Sequence, residues 1–435
     1  MKRYDSYKNS GVEWIGEVPE HWEVCKIKRL SVVKRGASPR PIENPIYFDD
    51  NGQYAWVRIS DVTDSKKYLY STTQKLSKLG ASLSVKMHSG EIFLSIAGTV
   101  GKPIITKIDC CIHDGFVWFP NLKLEPEFLY YVFMSGRPYL GLGKLGTQLN
   151  LNTETVGYIS IPIPEGKEII EIVSYLDSRC GEVDKVISTQ EKRISLLQEL
   201  KQSIITHAVT KGLNPDVKMK DSGIEWIGEV PEHWEICKIK HIGKIHGRVG
   251  YRGYTTADLV QEGEGALTIG GKHISKCTLD LSDAEYISWS KYYESPEIMV
   301  TKGDILIAQR GSLGKSALIK EDIGEATINP SLVLLNSIKF NPTFLHYILL
   351  SDSVITTICL LNTSTAVPMI TQNQIANIMI PKCHLTEQQE IASYLDKRCA
   401  QIDASICKAQ REIELLQEYK QSLITEVVTG KRKVC

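Results

Sequence analysis

An α+β fold, made as a tandem repeat of a mixed α/β unit followed by a long helix, is predicted by three observations. A 21-residue phrase occurs twice, KNSGVEWIGEVPEHWEVCKIK from Lys8 to Lys28 and KDSGIEWIGEVPEHWEICKIK from Lys220 to Lys240, with 18 of 21 positions identical. A second matched pair, opening SYLDSRC at Ser174 and SYLDKRC at Ser393, gives the chain the order A, B, A, B. Each B segment is apolar at alternating steps of three and four, whereas the stretches before it mix strand-like runs with glycine turns. The chain divides at 1–165 (first globular unit), 166–212 (first long helix), 213–384 (second globular unit) and 385–435 (second long helix and basic tail). A pseudo-two-fold repeat of this size suits a target or partner set that is itself two-fold.

The elements follow in the same order in both copies. The repeated Trp-Ile-Gly…Pro-Glu-His-Trp predicts an aromatic clasp, Trp14 with Trp22 and Trp226 with Trp234, with large buried area and satisfied indole N–H groups. A strand enters a glycine-rich turn at Gly90 to Lys102 and again at Gly303 to Lys315. A helix follows from Glu125 and from Asn341, and a short strand ends at proline in YISIPIP and NIMIPK. The offset between copies grows from 212 at the phrase to 213 at the glycine turn, 216 at the helix and 219 from the closing strand onward. Small insertions of this kind fall in loops. Identity drops inside the units, while 20 of 37 positions match over Ser174 to Thr210 against Ser393 to Thr429. The copies share a scaffold and differ where they would touch something.

The long segments carry a heptad seam: Leu176, Val183, Ile187, Ile194 and Leu197 in the first, Leu395, Ile402, Ile406, Ile413 and Leu416 in the second. Polar interruptions at Lys201 and Lys420 fall at the same place. A helix of about 39 residues spans roughly 58 Å and is marginal alone in water, so each needs the other, as a coiled coil.

Charge and composition narrow the function. The 51 basic residues equal the 51 acidic ones, which argues against coating nucleic acid by charge alone and leaves a focused patch open. No run approaches the roughly 18 apolar residues of a membrane span, the N-terminus has no apolar signal region, and cytoplasm is the expected compartment. Eleven scattered cysteines without C-x-x-C spacing predict reduced thiols.

Catalytic patterns are suggested and then fail. The Gly311 to Ser316 stretch ends like a phosphate loop, but Gln309 stands where that loop needs glycine, and the first copy has Pro103 in place of the hydroxyl. Asn44-Pro-Ile-Tyr47 is close to the N-P-P-[YF] loop of DNA amino-methyltransferases, yet lacks the second proline and any glycine-rich cofactor loop. The ten histidines form no metal motif. No catalytic residue, metal site or cofactor is expected in this chain.

Taken together, the duplicated E-W-I-G-E-V-P-E-H-W, the G-D-I-L-I-A-Q-R-G-S-L-G-K turn at Gly303, the I-x-I-P strand end and L-T-E-Q-Q-E-I-A-S-Y-L-D from Leu385 resemble the specificity subunit of type I restriction-modification enzymes. The resemblance covers essentially the whole chain. One departure is Glu168-Ile-Ile, where the second copy has Glu387-Gln-Gln. The resemblance implies two target recognition domains, each reading half of a bipartite double-stranded DNA site, separated by two antiparallel helices that set the unread spacer. It also implies docking of two methyltransferase subunits using S-adenosylmethionine, with motor-nuclease subunits that use ATP and Mg, in defence against foreign DNA. Candidate readers are Arg40, Arg58, Lys102 and Gln148 in the first unit, and Arg248, Arg252, Gln309, Arg310 and Lys315 in the second, because Arg forks onto guanine and Gln onto adenine. A specificity chain acting with a methyltransferase alone, and a non-catalytic protein-interaction scaffold, are the alternatives at this stage.

Overall fold

The computed structural model describes residues 2–142, 151–248, 253–275, 278–362, 364 and 366–434. The chain forms two units, Met1–Gln190 with Arg411–Cys435, and Glu191–Gln410. The division by sequence assigned each long helix whole. By contact, each helix gives its first part to one unit and its last part to the other.

In the first unit, a five-stranded sheet runs in the order Lys34–Arg35, Phe116–Trp118, Ile92–Ser95, Pro103–Thr106, Tyr68–Leu69. A second sheet has the order Gln74–Leu76, Tyr54–Val57, Cys110–Ile112, Val85–Met87. The strand Ile92–Ser95 is buried at every position, as expected of a strand covered on both faces. The helix Pro126–Met134 starts with proline at its first turn, where a missing N–H costs nothing. Its buried Phe128, Leu129 and Val132 pack in one core with Trp22, Leu176 and Leu423.

The second unit repeats the plan. Lys244–Gly247, Leu332–Asn336, Ile305–Ala308 and Ser316–Leu318 form one sheet in that order, and Leu259–Val260, Glu285–Ser288, Gly265–Ile269 and Ala326–Ile328 another. Helix Pro342–Leu349 takes the place of Pro126–Met134. In both units the strand that closes the clasp phrase pairs antiparallel with the proline-ended strand: Glu23–Lys26 with Ser160–Ile163, and Glu235–Lys238 with Met379–Lys382. That pairing brings the two ends of the unit together and delivers the chain into the long helix.

The first long helix is Gly166–Lys211 and the second Leu385–Val428. The first turn of the first helix contains Glu168, whose partners are described below. Within the first unit Asp184 meets Lys420 and Gln190 meets Glu412, so one helix ascends in number as the other descends. Within the second unit Lys201 meets Asp403. The helices are therefore antiparallel. Leu176, Val183, Leu395 and Ile402 of the seam are buried. Ile187, Ile194, Leu197, Ile406, Ile413 and Leu416 are half-buried, as a two-helix seam leaves them where no globular core covers it.

Among the described residues, no single helix is long and apolar enough to cross a membrane.

Candidate nucleic-acid interface

Each unit contains the same hydrogen-bond hub. Trp22 and Trp234 are fully buried. The Trp22 indole N–H donates to Glu168 at 2.9 Å, and that of Trp234 to Glu387 at 3.1 Å. His21 and His233 lie 3.1 and 3.0 Å from the same carboxylate oxygens. A carboxylate in the first turn of a helix also meets the positive end of the helix dipole. Trp14 and Trp226 pack on the flank, half-buried. The clasp thus anchors the entry of each long helix to its own unit. The exits meet the same clasps: Gly430, at φ +73°, lies against Pro19 and Trp22, and Gly212, at φ +75°, against Pro231 and Trp234. Glycine closes both helices because the left-handed conformation excludes most side chains.

The Glu168-Ile-Ile departure has a local reason. In the second unit Gln388 accepts from the backbone N–H of Asn341 at 2.8 Å and donates to the Cys383 carbonyl at 2.9 Å. Gln389 also accepts from the Asn341 side-chain amide at 2.5 Å, whereas Glu125, at the equivalent helix start of the first unit, has no side-chain N–H to donate. The shared glutamate, rather than the residues after it, makes the anchor.

The glycine turns present the candidate readers. Gly98 and Gly101 have φ of +65° and +86°, and Gly311 and Gly314 of +78° and +82°, so the two turns share one backbone shape. Their side chains differ. Ala97 is exposed where the second unit carries Arg310, also exposed. Among the described residues neither Arg310 nor Lys315 has a side-chain hydrogen bond or ion pair. Gln309 donates to the Pro330 carbonyl at 2.9 Å and to the Leu332 carbonyl at 3.4 Å, so its amide N–H groups are committed to the backbone and it is not an open reader. In the first unit Lys102 reaches the Thr63 carbonyl at 2.9 Å, and partial burial lowers its pKa against the opposing pull of Asp64.

Other candidates are more committed. Arg58 is the N-cap of helix Ile59–Asp64, its backbone N–H donating to Asp61 at 2.8 Å and its guanidinium reaching Thr73. Arg40 pairs with Asp114 at 3.0 Å, with 78% of its side chain exposed. It rims a cleft of about 740 Å³ that also takes in Trp56 and His113. Arg248 is 6% exposed, with Nε on the Ile328 carbonyl and Nη2 on Thr327, so its guanidinium ties strands together and faces no groove. Gln148 and Arg252 lie outside the described residues. Asn44, of the failed methyltransferase-like loop, caps a short turn by accepting from the Ile46 N–H.

Comparison with known proteins decides the family. The sequence profile of the type I restriction modification DNA specificity domain matches residues 19–190 and 231–415. The chain belongs to the type I restriction-modification specificity family.

Relatives agree with this. The MjaVIII specificity subunit of Methanocaldococcus jannaschii is 26% identical over 436 residues, covering 96% of this chain and 94% of that one. The EcoBI specificity subunit of Escherichia coli is 24% identical over 296 residues, 65% of this chain and 60% of that one. A solved structure concerned with assembly and conformational transition of the type I system superposes with a TM-score of 0.71 at 18% identity, covering 94% of this chain and 98% of its own, and shows the shared fold. For this specificity subunit, sequence reasoning missed the glutamate acceptors and the Lys–Asp pairs between helices. The signal for both was present, since Glu168 and Glu387, and Asp184 and Asp403, match at the same offset of 219.

Proposed function

We propose that each unit reads one half of a bipartite double-stranded DNA site, that the long helices set the spacing between halves, and that the helices dock methyltransferase subunits. The carrying observation is the pair of glycine turns with one backbone and different side chains, Ala97 against Arg310. A shared frame with divergent tips is what two readers of two different sequences require. Arg310, exposed on that turn and unpaired among the described residues, has the donor pattern that forks onto a guanine edge. In this reading the chain is non-catalytic and holds no cofactor. S-adenosylmethionine, ATP and Mg belong to methyltransferase and motor-nuclease partners. Footprinting of the chain assembled with a methyltransferase partner tests the proposal. Two protected half-sites with an unread gap are expected. Protection of no particular sequence would return the chain to the class of protein scaffolds.

A further inference from the structure

Two stretches depart from the balanced charge of the whole chain. Residues 24–42 contain six Lys or Arg and no Asp or Glu, and residues 236–248 contain four and none. Both follow the clasp phrase, and both form the turn into an edge strand: Ile27–Leu30 then Lys34–Arg35, and Ile239–His241 then Lys244–Gly247. A basic run on a surface is usually only solvated, so the geometry of individual residues has to decide.

Three of these cations are committed. Arg35 donates to the Asp114 carbonyl, Arg40 pairs with Asp114, and Arg248 is buried. By contrast Lys28, Arg29, Lys34, Lys240 and Lys244 are exposed and have no ion pair among the described residues. Lys28 and Lys240, equivalent across the repeat, are moreover held in place without being neutralised. Lys28 Nζ sits 3.6 Å from the centroid of the Tyr158 ring. Lys240 Nζ donates to Asn377 Oδ1 at 2.9 Å. Tyr158 and Asn377 are themselves equivalent, at the offset of 219. Two unrelated chemistries thus hold the same ammonium group at the same place while leaving its charge intact, the arrangement expected of a preorganised anion contact.

In the second unit this surface is continuous with the candidate reader turn. The Gln309 carbonyl accepts from Ile370 N–H at 3.0 Å, and Gly311 N–H donates to the Pro368 carbonyl at 2.9 Å. Thr371 then caps the helix Gln372–Ala376, and Gln372 and Asn373 line a cleft of about 400 Å³ with Lys240 and Lys244.

We propose that these two edge-strand flanks grip DNA phosphates, with Lys28, Arg29 and Lys34 in the first unit and Lys240 and Lys244 in the second. The proposal rests on the DNA-reading function above and adds where the backbone is held. Phosphate contacts fix register and orientation without carrying sequence information. Lys240 positions the unit so that Arg310 meets base edges.

The test is the salt dependence of binding to a 40-base-pair duplex of mixed sequence, using the full chain and its Lys240→Gln/Lys244→Gln and Lys28→Gln/Lys34→Gln variants. Each lost phosphate contact lowers the slope of log K against log salt by about 0.9, so each pair lowers it by about 2. The control Lys75→Gln/Lys78→Gln, an exposed pair outside both flanks, keeps the parent slope. The methylated motif of the assembled complex stays the same in all variants. An unchanged slope in folded variants, an equal change in the control, or loss of methyltransferase binding at unchanged slope overturns the proposal. Absence of any gapped motif in the parent complex would instead reject the reading function, while leaving the slope measurement to judge the flanks.

Discussion

Glu168 receives the Trp22 indole N–H at 2.9 Å across 146 residues of chain, and Glu387 repeats the contact with Trp234 at 3.1 Å. A hydrogen bond to a charged acceptor contributes about 1.5–3 kcal/mol, and its removal leaves a buried donor unsatisfied. Glu168→Ala and Glu387→Ala are each expected to lower stability by about that amount, as read from urea denaturation midpoints. Their effects add, because the two hubs lie in separate units. A change below about 0.5 kcal/mol for either would remove the hub from the account.

The Lys–Asp pairs between helices make a second prediction. Lys420 lies 2.6 Å from Asp184 and Lys201 2.7 Å from Asp403, each pair half-exposed. Solvent screening limits each to about 0.2–1 kcal/mol, and the larger consequence is helix register. Asp184→Lys is expected to destabilise modestly, and adding Lys420→Asp to restore most of the loss. A double-mutant cycle with no coupling energy would contradict the pairing.

The two closing glycines separate strain from collision. Alanine at either position costs about 1–2 kcal/mol for left-handed backbone. At Gly430 an added Cβ would also stand 2.3 Å from the Pro19 ring, whereas at Gly212 its nearest neighbour is 3.5 Å away. Gly430→Ala is therefore expected to lower the thermal midpoint clearly more than Gly212→Ala. Equal shifts would count against the close packing of Gly430 on the clasp.

The second unit holds an acid-sensitive site. Burial pushes the His346 imidazole down to about 4, with the Ser316 carbonyl opposing the shift. Between about pH 6.5 and 4 the unfolded chain binds a proton that the folded chain does not, so stability falls as pH drops through that window. The full effect is on the order of 3 kcal/mol at about 1.4 kcal/mol per pH unit. The first unit carries Tyr130 at the equivalent position. His346→Tyr should reduce the pH dependence of unfolding from pH 7 to 5, with a remainder from His113 of the first unit, whose pKa burial also lowers, and an unchanged profile would reject His346 as a source.

Much of the fold was legible because repetition doubled every signal. The heptad seam, the glycine turns and the proline-ended strands each appear twice, and an accidental pattern seldom recurs at a drifting but ordered offset. Contacts distant in sequence were not legible. Glu168 looked like part of a divergent helix start, since nothing local points to Trp22. Arg248 has the right residue type and the right neighbourhood for a reader, yet it is turned inward by carbonyl and hydroxyl acceptors some 80 residues away. Burial of a charged side chain is a tertiary property that residue type does not encode. The exposure of Arg310 was legible because the turn that displays it is itself a local motif.

The most direct measurement is methylation-sensitive sequencing of DNA from cells expressing this chain with a candidate methyltransferase subunit, beside the same cells carrying Arg310→Ala. The parent is expected to yield a gapped, two-part adenine motif, with the variant relaxing or changing one half only. A single ungapped motif, or loss of both halves together in a folded variant, would contradict the account of two independent readers.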